Sequence, residues 1–251
     1  MPHRPVLVVQ HLEPEGPARI TDALDRADQP VDVVRVDLGE PLPEDLSAHA
    51  GLVVMGGPMS AGSDEGFPTR RQELELLREA VSTSVPTLGV CLGAQLLAAA
   101  GGAAIERTGP PEIGWGEVQL APAASDDPLL AGPAGSVTVL HWHGETFSLP
   151  SGAVLLASST SYEHQAFRLG PCAWGLQFHL EVDEGAVRRF VRAFGDEAED
   201  PEGILREAPG QLARSQGRRA QVLDRFAALI AARESDAGAP GAGASGPTLR
   251  A

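Results

Sequence analysis

The chain has 251 residues, 43% of them hydrophobic, with 19 Lys and Arg against 34 Asp and Glu for a formal charge of −15. That length and apolar content can bury a sizeable core, while the acidity argues against a nucleic-acid backbone or an anionic membrane as partner. No stretch approaches the roughly 20 apolar residues that span a bilayer, and Cys91 and Cys172 make no disulfide framework.

The N-terminal apolar run, Val6-Leu7-Val8-Val9, is too short for a secretory signal and lacks a small-residue cleavage site, so a cytoplasmic protein is expected. The same run is β-branched and reads as a buried parallel strand. A helix follows over 16–27 with Ile20 and Leu24 at helical spacing, then strands over 31–36 and 52–55. Strands alternating with helices predict an α/β fold, a doubly wound and largely parallel central sheet with flanking helices. In such sheets ligands bind beyond the carboxyl ends of the strands.

The third strand runs into Gly56-Gly57-Pro58-Met59-Ser60. This segment reads as an ordinary Gly-Pro turn, a phosphate cradle, or a loop presenting backbone N–H groups to a ligand. No G-x-x-x-x-G-K-[ST] or G-x-G-x-x-G pattern supports the cradle. An amphipathic helix over 67–82 places Leu74, Leu76 and Leu77 among charges.

Next comes Val85-Pro86-Thr87-Leu88-Gly89-Val90-Cys91-Leu92-Gly93-Ala94-Gln95. Its first half reads as a buried strand and its second as a helix that ends at Gly101-Gly102. Cys91 stands at the junction with Gly89 and Gly93 two residues away on either side, the layout of a nucleophile elbow with cysteine in the place of serine. The glycines let strand and helix approach closely. The free N–H groups and dipole at the helix start favour a thiolate and later an oxyanion. Alone, such a cysteine reads equally as a small buried hydrophobe.

Beyond residue 103, strand-like runs over 113–120, 136–141, 153–157, 165–169 and 173–178 predict a small antiparallel addition to the sheet or a side sheet. The last run leads into Gln177-Phe178-His179-Leu180-Glu181-Val182, just before a helix over 183–195. In extended chain, His179 and Glu181 share a face. A histidine at a strand's carboxyl end is placed to reach the sulfur of Cys91, and the carboxylate can fix its tautomer. One or two further helices follow over 201–217 and 218–232. The Gly/Ala/Ser/Pro-rich stretch 234–251 is expected to be a disordered tail after a single domain over 1–233. His141, His143, His164 and His179 invite a zinc reading, but no H-E-x-x-H stands among them. Solvated or substrate-lining histidines are favoured, and no metal or cofactor is expected.

On three motifs in order, Gly56-Gly57-Pro58, Gly89-Val90-Cys91-Leu92-Gly93-Ala94-Gln95 and Gln177-Phe178-His179-Leu180-Glu181, the chain resembles the class I glutamine amidotransferases. It looks most like stand-alone relatives of the GMP synthase glutaminase domain. The resemblance covers roughly 5–194 and implies a flavodoxin-like fold. It departs in one place: Leu180 stands where the family has proline between the histidine and the glutamate.

The resemblance implies Cys91 as nucleophile on the side-chain amide of L-glutamine, His179 as base and then acid, and Glu181 as its orienting partner. It implies an oxyanion hole from the backbone N–H groups of Gly57 and Leu92. Gln95 and the segment Trp142, His143, Gly144 and Glu145 are implied to hold the backbone end of the substrate. A separate synthetase subunit is the implied acceptor of ammonia. Two rival readings stay open: a hydrolase of γ-glutamyl peptides or conjugates with the same triad, and a non-catalytic regulatory module that kept the fold.

Overall fold

In the computed structural model, which describes residues 3–238, alternate residues of the first strand enter two different cores. In β1 (Val6–Gln10), Val6 and Val8 pack into one apolar cluster and Leu7 and Val9 into another. A strand buried on both faces is the signature of a parallel sheet covered by helices on both sides. β3 (Gly51–Val54) repeats the division, with Val53 in the first cluster and Leu52 and Val54 in the second. α1 (Arg19–Arg26) contributes Ile20, Ala23 and Leu24 to the first face. α2 (Arg70–Ser82) and, after β4 (Thr87–Val90), α3 (Leu92–Ala100) cover the second.

With β2 (Val31–Arg35) at one edge, these strands pair in parallel in the order β2-β1-β3-β4. The chain then passes through β5 (Ile105–Glu106), β6 (Glu112–Leu120), β7 (Ser136–His143), β8 (Thr146–Phe147), β9 (Val154–Ser158) and β10 (Ala166–Leu169) to β11 (Ala173–Leu176). β11 returns to pair in parallel with β4. Beyond it, β10, β9, β6 and β7 extend the same nine-stranded sheet antiparallel. β5 and β8 form a separate antiparallel pair. Both forms of the expected antiparallel addition are therefore present.

α4 (Glu184–Phe194) starts at Asp183, whose Oδ1 accepts the Ala186 N–H at 2.7 Å, and buries Ala186, Val187 and Phe190. α5 (Pro201–Gly238) is one helix across the whole span expected to hold one or two. Gly217 does not break it, because the apolar positions Val222, Leu223, Phe226, Ala227 and Ile230 continue on the side packed against the first core. Pro209 removes one helical N–H, yet Ile204, Ala208 and Leu212 around it pack on α4. α5 also runs past residue 233, and Glu234 accepts the Nε–H of Arg4 at 2.9 Å and its backbone N–H at 3.0 Å. Residues 234–238, expected to open the disordered tail, are thus helical, and from 239 on that expectation lies outside the described residues. No helix of the described residues is long and apolar enough to cross a membrane.

Candidate active site

The carboxyl ends of β1, β3, β4 and β11 point to one side of the sheet, and the chemistry-bearing residues collect there. Cys91 sits between β4 and α3 with φ 54° and ψ −108°, a backbone conformation that L residues rarely adopt. A Cβ at Gly89 would lie 2.4 Å from the carbonyl oxygen of Gly93, and one at Gly93 would lie 2.0 Å from that of Val54. The elbow therefore needs glycine at both positions. The Leu92 N–H is directed at the thiol, and the sulfhydryl donates to the Trp142 carbonyl at 3.6 Å.

His179 and Glu181 lie beyond the end of β11 rather than within it. After Leu176 the chain leaves β4: Gln177 N–H bonds to the Gln165 carbonyl, and His179 N–H to the Leu140 carbonyl at 2.8 Å. This bend toward β7 brings the imidazole over the elbow. His179 Nδ1–H donates to Glu181 Oε1 at 2.7 Å, with both side chains buried. That bond leaves Nε2 without a hydrogen-bond partner. A His179 ring nitrogen, the Cys91 sulfur and a Glu15 carboxylate oxygen all lie within 4.8 Å of one another.

Burial works against a charged imidazole, but the carboxylate of Glu181, together with Cys91, outweighs it and holds His179 well above the usual histidine range. Burial pushes the Cys91 thiol up, against the pull of His179 and the Leu92 N–H. Arg219, from α5, reaches this segment and donates from Nε to the Leu180 carbonyl at 2.7 Å and from Nη2 to the Val182 carbonyl. The carbonyls on either side of Glu181 are thereby clamped.

The Gly56-Gly57 loop lies beside the elbow. Gly57 N–H donates to no protein acceptor among the described residues, and Gly57 and Cys91 line the same cavity of about 430 Å³. Glu15, at the end of a short 3-10 turn after β1, presses on the loop: a Cβ at Gly56 would meet its Oε2. Burial raises the Glu15 carboxyl to about 7, with His179 pulling the other way. His11 donates from Nδ1 to the Gly56 carbonyl at 3.0 Å and from Nε2 to Glu73 Oε2 at 2.8 Å. Both nitrogens face protein oxygens, the Gly56 carbonyl and the Glu73 carboxylate, which favours the protonated ring. Its pKa is accordingly raised, with Glu73 outweighing burial.

Gln95, Trp142, His143, Gly144 and Glu145 all line the cavity, together with Ser60 and Arg107. Gln95 Nε2 donates to the Glu145 carbonyl at 3.1 Å and to Gln177 Oε1 at 3.2 Å, so its amide is oriented before any ligand arrives. The four histidines noted above do not meet. His164 donates to the Phe147 carbonyl, away from the others. His141 and His143 are buried rather than solvated, and with Glu112 they offer donor atoms within 4.8 Å of one another, a set that could hold a metal ion. The Glu112 carboxylate already accepts from Ser159 at 2.8 Å, Gln165 at 2.6 Å and His143 at 3.2 Å. These bonds account for the site as a hydrogen-bonded hub.

Sequence reasoning missed His11, Glu15, Glu73 and Arg219. For the first two the usable signal was position, just after the carboxyl end of β1 in a parallel sheet, where ligands bind. For Arg219 it was periodicity, because it shares the helix face of Val222, Leu223 and Phe226.

Comparison with known proteins bears on this arrangement. The sequence model of the family "Glutamine amidotransferase class-I" matches residues 18–194. The chain is 34% identical over 188 residues to a glutamine amidotransferase-like protein of Salmonella typhimurium, YfeJ, covering 74% of this chain and 73% of that one. It is 38% identical over 143 residues to the glutamine-hydrolyzing GMP synthase of Porphyromonas gingivalis, covering 56% of this chain but only 26% of that protein. Among solved structures, a glutamine amidotransferase of Thermotoga maritima superposes with a TM-score of 0.81 at 33% identity, covering 90% of this chain and 98% of the other. One from Methylobacillus flagellatus gives 0.82 at 34%, covering 89% and 94%. The fold, the cysteine elbow facing a buried His-Glu pair, and the family match over most of the chain lead to one conclusion: this protein belongs to the class I glutamine amidotransferases.

Proposed function

We propose that the chain hydrolyses the side-chain amide of L-glutamine through a γ-glutamyl thioester on Cys91, giving glutamate and ammonia. The observation that carries this reading is the meeting of Cys91, His179 and Glu181 beneath one cavity, with the Leu92 N–H directed at the thiol and Gly57, whose N–H has no protein acceptor among the described residues, lining the same cavity. In this reaction the thiolate attacks the amide carbon, and the carbonyl oxygen becomes an oxyanion received by the N–H groups of Gly57 and Leu92. Each such donor is worth about 3 kcal/mol in the transition state. His179, holding the thiol proton at Nε2, delivers it to the amide nitrogen as the C–N bond breaks, and ammonia leaves. Water then attacks the thioester, gives its proton to the same nitrogen, and the C–S bond breaks to release glutamate. Glu181 holds the ring in the tautomer both steps need. Gln95 and the 142–145 wall receive the amino-acid end of the substrate. The nitrogen passes to a separate synthetase-type acceptor, in line with the GMP synthases among the relatives.

One observation favours a second reading, a γ-glutamyl amide of a larger amine. The cavity adjoins a second groove, and Pro111, Ile113 and Glu197 line both. That leaves room for a leaving group bigger than ammonia. Assay of ammonia or amine released from glutamine and from a panel of γ-glutamyl amides separates the two. Ammonia release at the highest kcat/KM supports the first reading; preference for a conjugate replaces it with the second, and no release from any of them overturns both.

A further inference from the structure

Gly56 and Gly57 flank a single peptide unit, and that unit carries both the carbonyl held by His11 and the N–H assigned above to the oxyanion hole. The peptide is trans, as are all the described peptides, so its C=O and N–H point in opposite directions. Fixing one end fixes the other. With glycine on both sides, little steric resistance opposes rotation of the whole peptide plane. A rotated plane would aim the carbonyl oxygen, in place of the N–H, toward the cavity and repel a developing oxyanion.

We propose that His11 and Glu73 are positioning residues that lock the Gly56–Gly57 peptide with its N–H facing the Cys91 cavity. The lock is itself braced. Glu73, in α2, accepts from His11 Nε2 at 2.8 Å and from Thr69 Oγ1 at 2.7 Å. Both partners are fully buried, and the His11 ring meets Phe67 edge-on at 5.6 Å. A buried charge-assisted bond of this kind is stronger than a neutral one. Donation to the carbonyl also polarises the peptide and strengthens its N–H as a donor. Neither side chain lines the cavity, so the pair acts through the loop. The inference rests on the reading of Gly57 as an oxyanion donor.

The test compares His11→Ala, His11→Leu and Glu73→Gln with the wild-type chain. His11→Leu fills the buried space without a donor, in case the cavity left by alanine unfolds the protein. Glu73→Gln keeps an acceptor for Nε2. Three readouts are taken: the orientation of the 56–57 peptide in crystal structures, kcat and KM on the amide the wild type turns over, and the rate of Cys91 alkylation by iodoacetamide. Alkylation passes through no oxyanion, so it reports the thiol and His179 alone. Loss of the His11 donor is expected to rotate the peptide and lower kcat about 100-fold, the effect of losing one oxyanion donor. KM and the alkylation rate stay near wild type, and Glu73→Gln retains most of kcat. An unrotated peptide with unchanged kcat overturns the lock, as does an alkylation rate that falls in step with kcat. If the wild type turns over no γ-glutamyl amide, the functional reading fails separately, and the peptide orientation in the variants still decides the lock.

Discussion

His179 and Glu181, two residues apart in an irregular stretch, make a 2.7 Å buried bond because the chain bends away from β4 immediately before them. On the proposed mechanism, His179→Ala abolishes turnover yet folds, since the ring's one protein hydrogen bond is to Glu181; melting curves and ammonia release check both halves. Glu15 supplies a pH test. Its folded-state pKa, about 7, lies above the reference value of 4.5 because of burial. A carboxyl raised on folding stabilises the protein most below the unfolded pKa, and that contribution is lost as pH rises through about 7. The loss is on the order of 3 kcal/mol at most. Glu15→Gln removes the dependence, so its melting temperature relative to wild type should climb between about pH 5 and about pH 8. A constant difference would show that the group does not titrate there. Cys91, His179 and Glu181 were legible because their chemistry needs short-range patterns: a glycine frame and an i, i+2 pair. His11 and Glu15 were not, because what brings them to the Gly56-Gly57 loop is the place of β1 in the sheet.

At the scale of elements, alternating strands and helices were enough to read a sheet buried on both faces, as the two cores divided by β1 show. For α5 the choice between one helix and two stayed open in the sequence, and continuous packing across Pro209 and Gly217 decides for one. Its consequence reaches the site: Arg219 clamps the carbonyls of Leu180 and Val182 around Glu181. It also lies beyond the span matched by the family model. Burial pulls the guanidinium down to about 10, still charged at neutral pH. Arg219→Met keeps the apolar stem but leaves two buried carbonyls without donors, at a cost of about 2 kcal/mol. Denaturant titration should show that loss. On the proposed mechanism kcat should fall with it, because the His179–Glu181 pair loses its support. Unchanged stability would mean that the bend holds without α5.

Across the whole molecule, the two halves of the sheet divide the work. The parallel half delivers Cys91, the Gly56-Gly57 loop and, through β11, His179. The antiparallel half closes the cavity with the 142–145 wall, whose Trp142 carbonyl accepts a hydrogen bond from the Cys91 thiol. The central claim is that this sulfur becomes acylated during turnover. Its most direct measurement is mass spectrometry of enzyme acid-quenched during steady-state turnover of glutamine. The account predicts one γ-glutamyl group on the peptide carrying Cys91, absent from Cys91→Ser, which also releases no ammonia. Undiminished ammonia release by Cys91→Ser, or an acyl group on any other residue, would contradict it.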